Sequence, residues 1–152
     1  MGKFTSRLIA TALAVVILSI GVSGTVSADE GALAYRKAVM GAIGGHMKSM
    51  VAIIKGQVPF KEHLRGHAHG MAELAKLSIH IFPKGSDVGK TTISPAVWEK
   101  PAEFEKAKMA FVQASADLAK AADSGDMGAF TKKFGPLGGS CKGCHTNFRI
   151  KK

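Results

Sequence analysis

Apolar residues in this chain recur at alternating steps of three and four in long stretches, and no stretch alternates residue by residue as a β-strand does. The first such stretch spans 30–55 and contains no proline. Side chains spaced in this way lie on one face of an α-helix. The residues on that face are Leu33, Arg36, Met40, Ile43, Met47, Met50 and Ile54. The pattern therefore predicts a long first helix, which Gly56 would cap at its C-terminal end.

Prolines and glycines mark the limits of two more helices. Pro59 stands at a natural helix start, and a helix is predicted for 60–81 before Pro83 ends it. Pro101 opens a third helix with a similar apolar face, and Gly125 closes it. The residues between Pro83 and Pro101 are rich in turn-forming types, so they predict a long crossover loop.

A fourth helix follows, with Asp126 as its N-cap. Pro136 lies within it and predicts a kink, because proline has no amide proton and its ring crowds the preceding turn. Trp98, the only tryptophan, is expected to fold the crossover back onto the helices. Four helices without strand-like segments predict an all-α protein, an antiparallel four-helix bundle.

The first residues have the features of a secretory signal peptide. Lys3 and Arg7 precede an apolar run, and small residues ending at Ala28 follow at the place that a signal peptidase reads. We therefore expect 1–28 to be a cleaved signal peptide and 29–152 to be the mature domain, exported to the periplasm. An uncleaved anchor is the alternative. The run is shorter than the roughly 20 residues that span a bilayer, so we expect no stable membrane insertion.

The charge of the mature domain is strongly positive. Two of the 21 basic residues and none of the 11 acidic ones lie in 1–28, which leaves 19 basic residues against 11 acidic and a net charge of +8. A positive field of this kind favours encounter with acidic partner proteins or anionic membrane surfaces. Nucleic acid is not expected as a partner, because the lysines are scattered rather than striped with aromatic residues.

The only two cysteines stand in the sequence Cys141-Lys142-Gly143-Cys144-His145, within the predicted fourth helix. In the pattern C-x-x-C-H both thiols add to the vinyl groups of one haem, and the adjacent histidine presents its imidazole to the iron. Helical spacing suits this chemistry, because positions three apart share a face. The sequence therefore predicts one covalent haem c, bonded to Cys141 and Cys144, with His145 as the proximal iron ligand.

Three other uses of the cysteine pair are weighed against haem. A pair in an oxidising compartment often forms a disulfide. A thioredoxin-like redox pair would stand at the start of a helix after a strand, and no strand is predicted. A zinc site would need four ligands, and His63 and His67, four residues apart, could add to the thiols in principle. Solvent exposure is otherwise the default expectation for His63, His67, His69 and His80.

Three separated segments resemble the class II c-type cytochromes, the cytochrome c′ family. The Tyr-Arg-Lys at 35–37 is similar to that family's Tyr-Arg segment, the Val-Trp at 97–98 to its Ile-Trp pair, and 141–149 to its terminal C-x-x-C-H-x-x-F/Y-R. The resemblance implies a four-helix bundle with a covalent haem, and a homodimer is common in the family. It also implies that Arg36 meets a haem propionate and that Arg149 lies near the proximal side.

Met40 decides what the resemblance implies about function. Gas-binding members of the family often carry leucine four residues after the arginine, whereas this chain carries a thioether there. The chain therefore resembles the low-spin, methionine-ligated cytochrome c-556 type, with Met40 as the distal iron ligand. Ordinary core packing is the alternative role for this methionine. His46 is the competing ligand, but it lies about 240° from Met40 around the helix and should point away.

From this resemblance we expect a periplasmic single-electron carrier rather than an enzyme. Iron held by both histidine and methionine has no open position for chemistry and has a raised potential, and acidic redox proteins would be its partners. The alternative function is a five-coordinate haem that binds nitric oxide or carbon monoxide. A haem peroxidase is a third possibility, and it would need a distal acid–base residue such as an inward-facing His46.

Overall fold

The computed structural model describes residues 28–150 of the 152. The predicted signal peptide, 1–28, lies outside the described residues except for Ala28, so its cleavage stays a prediction. Within 28–150 no helix combines the length and the apolar character that a membrane crossing requires.

Four long helices and one short helix make up this part of the chain. They are α1 (Ala28–Ile54), α2 (His63–Ser78), α3 (Ala96–Glu99), α4 (Pro101–Asp123) and α5 (Met127–Phe148). The helix α1 packs against α2, α2 against α4, and α4 against α5. The predicted all-α four-helix bundle is confirmed, with α1, α2, α4 and α5 as its long helices.

The second helix is shorter than the sequence pattern predicts. The prediction covers 60–81, whereas α2 begins at His63 and ends at Ser78. The residues before it form a turn in which the amide of His63 donates to the carbonyl of Phe60 at 3.0 Å. Such three-residue turns are common at helix ends, and an apolar pattern does not separate them from the helix itself.

The crossover contains α3, which the sequence pattern does not predict because four residues are too few for an apolar repeat. Pro95 precedes it with a φ of −52°, within the range that the proline ring imposes. Trp98 lies in α3, and its indole Nε1 donates to the carbonyl oxygen of Phe82 at 3.3 Å. The same side chain packs against a buried cluster that includes Phe104 and Phe148. Trp98 therefore folds the crossover back onto the bundle, as predicted.

The start of α5 is capped as the sequence predicts. The Asp126 carboxylate accepts hydrogen bonds from the amides of Gly128 and Ala129 at 2.7 and 3.3 Å. These bonds satisfy two of the amides that have no partner within the helix. Pro136 does not end the helix, since α5 continues through it to Phe148.

The main core lies where the four long helices meet. Its largest fully buried side chains are Met50 from α1, Met71 from α2, Leu118 from α4, and Phe130 and Leu137 from α5. Each long helix thus contributes its apolar face to one shared core. Removal of this surface from water is the dominant favourable term in folding.

Leu118→Ala is expected to lower the free energy of unfolding by about 2–5 kcal/mol, because it leaves a cavity in a close-packed core. Leu77→Ala is the matched control, since Leu77 is 50% exposed and its replacement should change stability by less than about 0.5 kcal/mol. Urea denaturation followed by circular dichroism measures the difference. Equal stability of the two variants would contradict the packing described above.

Candidate haem-attachment site

The two cysteines lie in the last turns of α5, three residues apart on one side of the helix. Both are partly buried, and they form no disulfide with each other. Burial raises the pKa of both thiols, Cys141 and Cys144, above the ordinary value for cysteine. Two thiols on one helical face, with a histidine directly after the second, have the arrangement that double attachment of one haem requires.

His145 follows Cys144 directly, and its imidazole reaches the surface of α5. Desolvation by the surrounding protein lowers the pKa of His145, and the positive charge of Arg149 lowers it further. A lowered pKa favours the neutral imidazole, which is the form that binds a metal. The structure thus places Arg149 close to His145, one helical turn beyond it.

The end of α5 is fastened to the crossover. Ile93 and Arg149 form an isolated antiparallel bridge. The amide of Ser94 donates to the carbonyl of Phe148 at 3.0 Å. These bonds hold the backbone directly after the attachment sequence, where a free helix end would fray.

Glycines stand close to the cysteines in α5, and contacts within the protein do not explain them. A Cβ atom added at Gly138, Gly139 or Gly143 would meet nothing within 4 Å. Glycine inside a helix nevertheless costs about 1 kcal/mol relative to alanine. Gly138 shares a helical face with Cys141, and close approach of a flat macrocycle would explain a glycine there. The thiols, the imidazole and this open backbone together fit a haem.

A cleft of about 710 Å³ runs between α4 and α5 beside Cys144. Its lining on α5 includes Gly139, Gly143 and Asn147, which are four residues apart and so form one stripe. His145 lies two residues after Gly143, about 200° around the helix. The cleft is therefore on the opposite side of α5 from the imidazole that would bind the iron.

Arg36 is buried, and its guanidinium binds the crossover. Its Nη1 donates to the carbonyl of Ile81 at 3.1 Å and to Oγ of Ser86 at 2.7 Å. Its Nη2 donates to the carbonyl of Ser86 at 2.6 Å and to Oγ1 of Thr91 at 3.5 Å. The centre of the Phe82 ring lies 5.5 Å from the guanidinium carbon. Sequence reasoning missed this anchoring role, since no local pattern connects an arginine with partners 45 to 55 residues away.

Only Nε of the Arg36 guanidinium has no acceptor among the described residues. Burial lowers the pKa of Arg36, but an arginine side chain stays charged in proteins. The predicted contact with a haem propionate stays a prediction. That contact would use Nε of Arg36, the donor that the crossover does not engage.

Met40 lies one turn after Arg36 on α1 and is partly buried against the main core. Its neighbours Val39 and Ile43 are buried and apolar. His46, in contrast, lies against α2, where its ring is in close contact with the backbone at Gly70. The imidazole therefore faces a different side of α1 from the thioether, as the helical spacing predicts. The ligation of iron by Met40 stays a prediction.

Two histidines of α2 have partners and are only partly exposed, although the His69 side chain is still 45% exposed. The Nδ1 of His67 lies 3.0 Å from the Nδ1 of His46. The Nε2 of His69 lies 2.8 Å from a carboxylate oxygen of Asp123, which also accepts from Nε of Arg65 at 2.8 Å. Packing of α2 against α1 and α4 brings these groups together. The other two are exposed as expected, namely His63 and His80.

The fold and the attachment sequence together define a c-type cytochrome built on a four-helix bundle. The family model described as Cytochrome C′ matches residues 31–149. The chain is 37% identical over 124 residues to cytochrome c′ of Pararhodospirillum photometricum, and this alignment covers 81% of this chain and 99% of that relative. It is 36% identical over 118 residues to cytochrome c-556 of Agrobacterium tumefaciens (strain II Chrys), and this alignment covers 77% of this chain and 95% of that relative.

Solved structures share the bundle. A ferrous variant of cytochrome c′ from Alcaligenes xylosoxidans with bound nitric oxide matches with a TM-score of 0.76 at 29% identity, over 84% of this chain and 99% of that chain. Cytochrome c′ from Rubrivivax gelatinosus matches with a TM-score of 0.73 at 32% identity, over 78% of this chain and 94% of that chain. The chain belongs to the cytochrome c′ family, and its cofactor is one covalent haem c.

Proposed function

We propose that the haem iron of this chain binds a small diatomic gas, nitric oxide or carbon monoxide. The observation that carries this proposal is the set of solved relatives with bound gas. Structures of Alcaligenes xylosoxidans cytochrome c′ hold nitric oxide or carbon monoxide, and they match this chain at 29% identity with TM-scores of 0.76 and 0.75. These relatives favour gas binding over single-electron transfer, which the sequence favours.

The side of α1 that carries Met40 supports gas binding chemically. Val39 and Ile43 are apolar and buried, and Met40 between them is uncharged. Nitric oxide and carbon monoxide are small and neutral, so an apolar surrounding does not oppose their entry. The polarity and steric access of the distal pocket decide which ligand a haem takes. His145 would hold the iron from the α5 side.

Single-electron transfer is the second candidate, and Met40 is the observation that favours it. A thioether opposite a histidine closes the sixth position of the iron and raises its potential. Relatives named cytochrome c-556 are 34–36% identical to this chain. Basic residues on the mature domain would then guide docking to an acidic redox partner, and the rate of reduction by that partner should fall as salt rises.

A carbon monoxide titration of the ferrous protein, followed by absorption spectroscopy, tests the proposal. We expect a broad, high-spin ferrous spectrum that shifts when the gas is added. A sharp α band that does not respond to carbon monoxide would contradict gas binding and support the electron carrier.

Replacement of Met40 by leucine then identifies the cause. If the iron is five-coordinate, Met40→Leu leaves the ferrous spectrum without gas unchanged; if the thioether ligates, the variant becomes high-spin and opens to carbon monoxide. Met47→Leu is the matched control, because Met47 lies on the same helix and is also partly buried against the main core. A change of equal size in both variants would show that general packing, and not ligation, governs the spectrum.

We also propose that the mature protein is exported to the periplasm. Three features of the sequence support export: Lys3 and Arg7 near the N-terminus, the apolar run that follows them, and the small residues before Asp29. Protein purified from the periplasm should therefore begin at Asp29 when its N-terminus is sequenced. An intact Met1, or haem-loaded protein found only in the cytoplasm, would reject export.

A further inference from the structure

A pair of imidazoles joins α1 to α2 away from the attachment sequence. The Nδ1 atoms of His46 and His67 are 3.0 Å apart and share a hydrogen bond, whose proton a bound metal ion would replace. The two rings meet edge to face, with centroids 5.2 Å apart and an interplanar angle of 75°. Both side chains are partly buried, so solvent reaches them. Neither residue belongs to the attachment sequence at 141–145.

The backbone of α2 makes room for one of these rings. A Cβ atom added at Gly70 would lie 2.6 Å from Cε1 of His46 and 2.9 Å from its Nε2, so any other residue there would force the His46 ring to move. Glycine inside a helix costs about 1 kcal/mol relative to alanine. Gly70 therefore fits a role in letting the His46 ring lie against α2, next to His67.

The distance between the two nitrogens suits a shared metal ion. Imidazole nitrogens bind Zn²⁺ at about 2.0–2.1 Å, so two of them on one ion lie about 2.8–3.4 Å apart for ligand angles of about 90–109°. The observed 3.0 Å falls in that range. Desolvation and the neighbouring His46 and His63 lower the pKa of His67, which favours the neutral form that a metal requires.

We propose that His46 and His67 form a binding site for a divalent transition-metal ion, Zn²⁺ or Cu²⁺, that bridges α1 and α2. Imidazole is a good ligand for both ions, and water would complete the coordination. No group of three or more metal-binding side chains is assembled anywhere in 28–150, so the site has two protein ligands as it stands. His63, one turn before His67, stacks on Phe60 with ring centroids 5.1 Å apart and is not a ligand in this arrangement.

The site is separate from the haem iron. His46 lies six residues after Met40, about 240° around α1, and it faces α2. The site therefore does not depend on which ligand holds the sixth position of the iron. An ion bound to the folded state and not to the unfolded chain would also stabilise the pairing of α1 with α2.

Titration calorimetry of the untagged, haem-loaded protein with Zn²⁺ tests this site. We expect one ion per chain, and a dissociation constant that rises roughly tenfold or more in His46→Gln and in His67→Gln. His69→Gln is the matched histidine control, because His69 is paired with Asp123; it should bind Zn²⁺ like the unmodified protein. An unmodified protein that takes up no Zn²⁺, or equal binding by all three variants, would overturn the proposal.

Two glycine variants of α2 separate a built site from chance surface binding. Gly70→Ala should push the His46 ring away and weaken Zn²⁺ binding roughly tenfold, at little cost to the fold because the displaced atoms belong to a side chain. Gly66→Ala adds the same methyl group to the same helix, where nothing lies within 4 Å, and should leave binding unchanged. Equal affinity of the two variants would overturn the proposed geometry.

Discussion

Replacement of Cys141 and Cys144 together by alanine is expected to abolish covalent haem attachment completely. Each thiol supplies one of the two thioether bonds, and these two are the only cysteines of the chain. Intact mass spectrometry of the denatured protein measures the result directly, because only a covalently bound haem adds to the mass. Haem staining after denaturing electrophoresis provides a second readout.

Single variants and a neighbouring control sharpen this experiment. Cys141→Ala alone should leave at most one thioether, whereas His145→Ala should keep both and lose normal iron ligation. Ser140→Ala is the control, since the Ser140 hydroxyl donates to the carbonyl of Leu137 at 2.7 Å within the helix, and attachment should stay complete. A double cysteine variant that still carries the haem mass would remove the attachment site from this sequence.

Arg36→Met is expected to lower the free energy of unfolding by about 2–5 kcal/mol. The methionine keeps much of the apolar volume but removes every donor, which leaves the carbonyls of Ile81 and Ser86 without the guanidinium in a buried place. Hydrogen bonds to a charged group contribute about 1.5–3 kcal/mol each, and an unsatisfied buried acceptor costs about 1–3 kcal/mol. Urea denaturation of the haem-loaded variant measures the loss.

Two further variants test whether the guanidinium geometry causes the loss. Arg36→Lys keeps the charge but not the two-pronged donor, so its stability should fall between that of the native protein and Arg36→Met. Lys37→Met is the neighbouring control, because Lys37 is exposed, and it should change stability by less than about 0.5 kcal/mol. Equal stability of Arg36→Met and Lys37→Met would show that the crossover does not depend on this anchor.

The long helices could be predicted because the signals that define them are local. An apolar step of three and four, the proline at 101 and the Asp126 cap each act within one or two turns. The prediction for the second helix is too long because apolar residues continue past Ser78 into a turn. The short helix α3 was missed because four residues carry no period.

The attachment site was also predicted from sequence, since two thiols and a histidine within five residues must share one stretch of α5 whatever the rest of the fold does. The choice between gas binding and electron transfer could not be made from those residues. It depends on what lies opposite His145, and that position belongs to another helix. Relatives with bound gas favour gas binding, and the thioether of Met40 favours electron transfer. The absorption spectrum of the ferrous protein with and without carbon monoxide decides between the two functions.

The sequence by itself determined the all-α class, the four long helices and the family, and it predicted haem attachment at Cys141 and Cys144 with His145 as the iron ligand. Only the tertiary structure decided that Arg36 ties α1 to the crossover and that His46 meets His67 over Gly70. The reason is physical: periodicity and motif spacing act along the chain, whereas these contacts join residues 21 to 55 positions apart. Such pairs come together only when the helices pack, and no local pattern in the sequence specifies them.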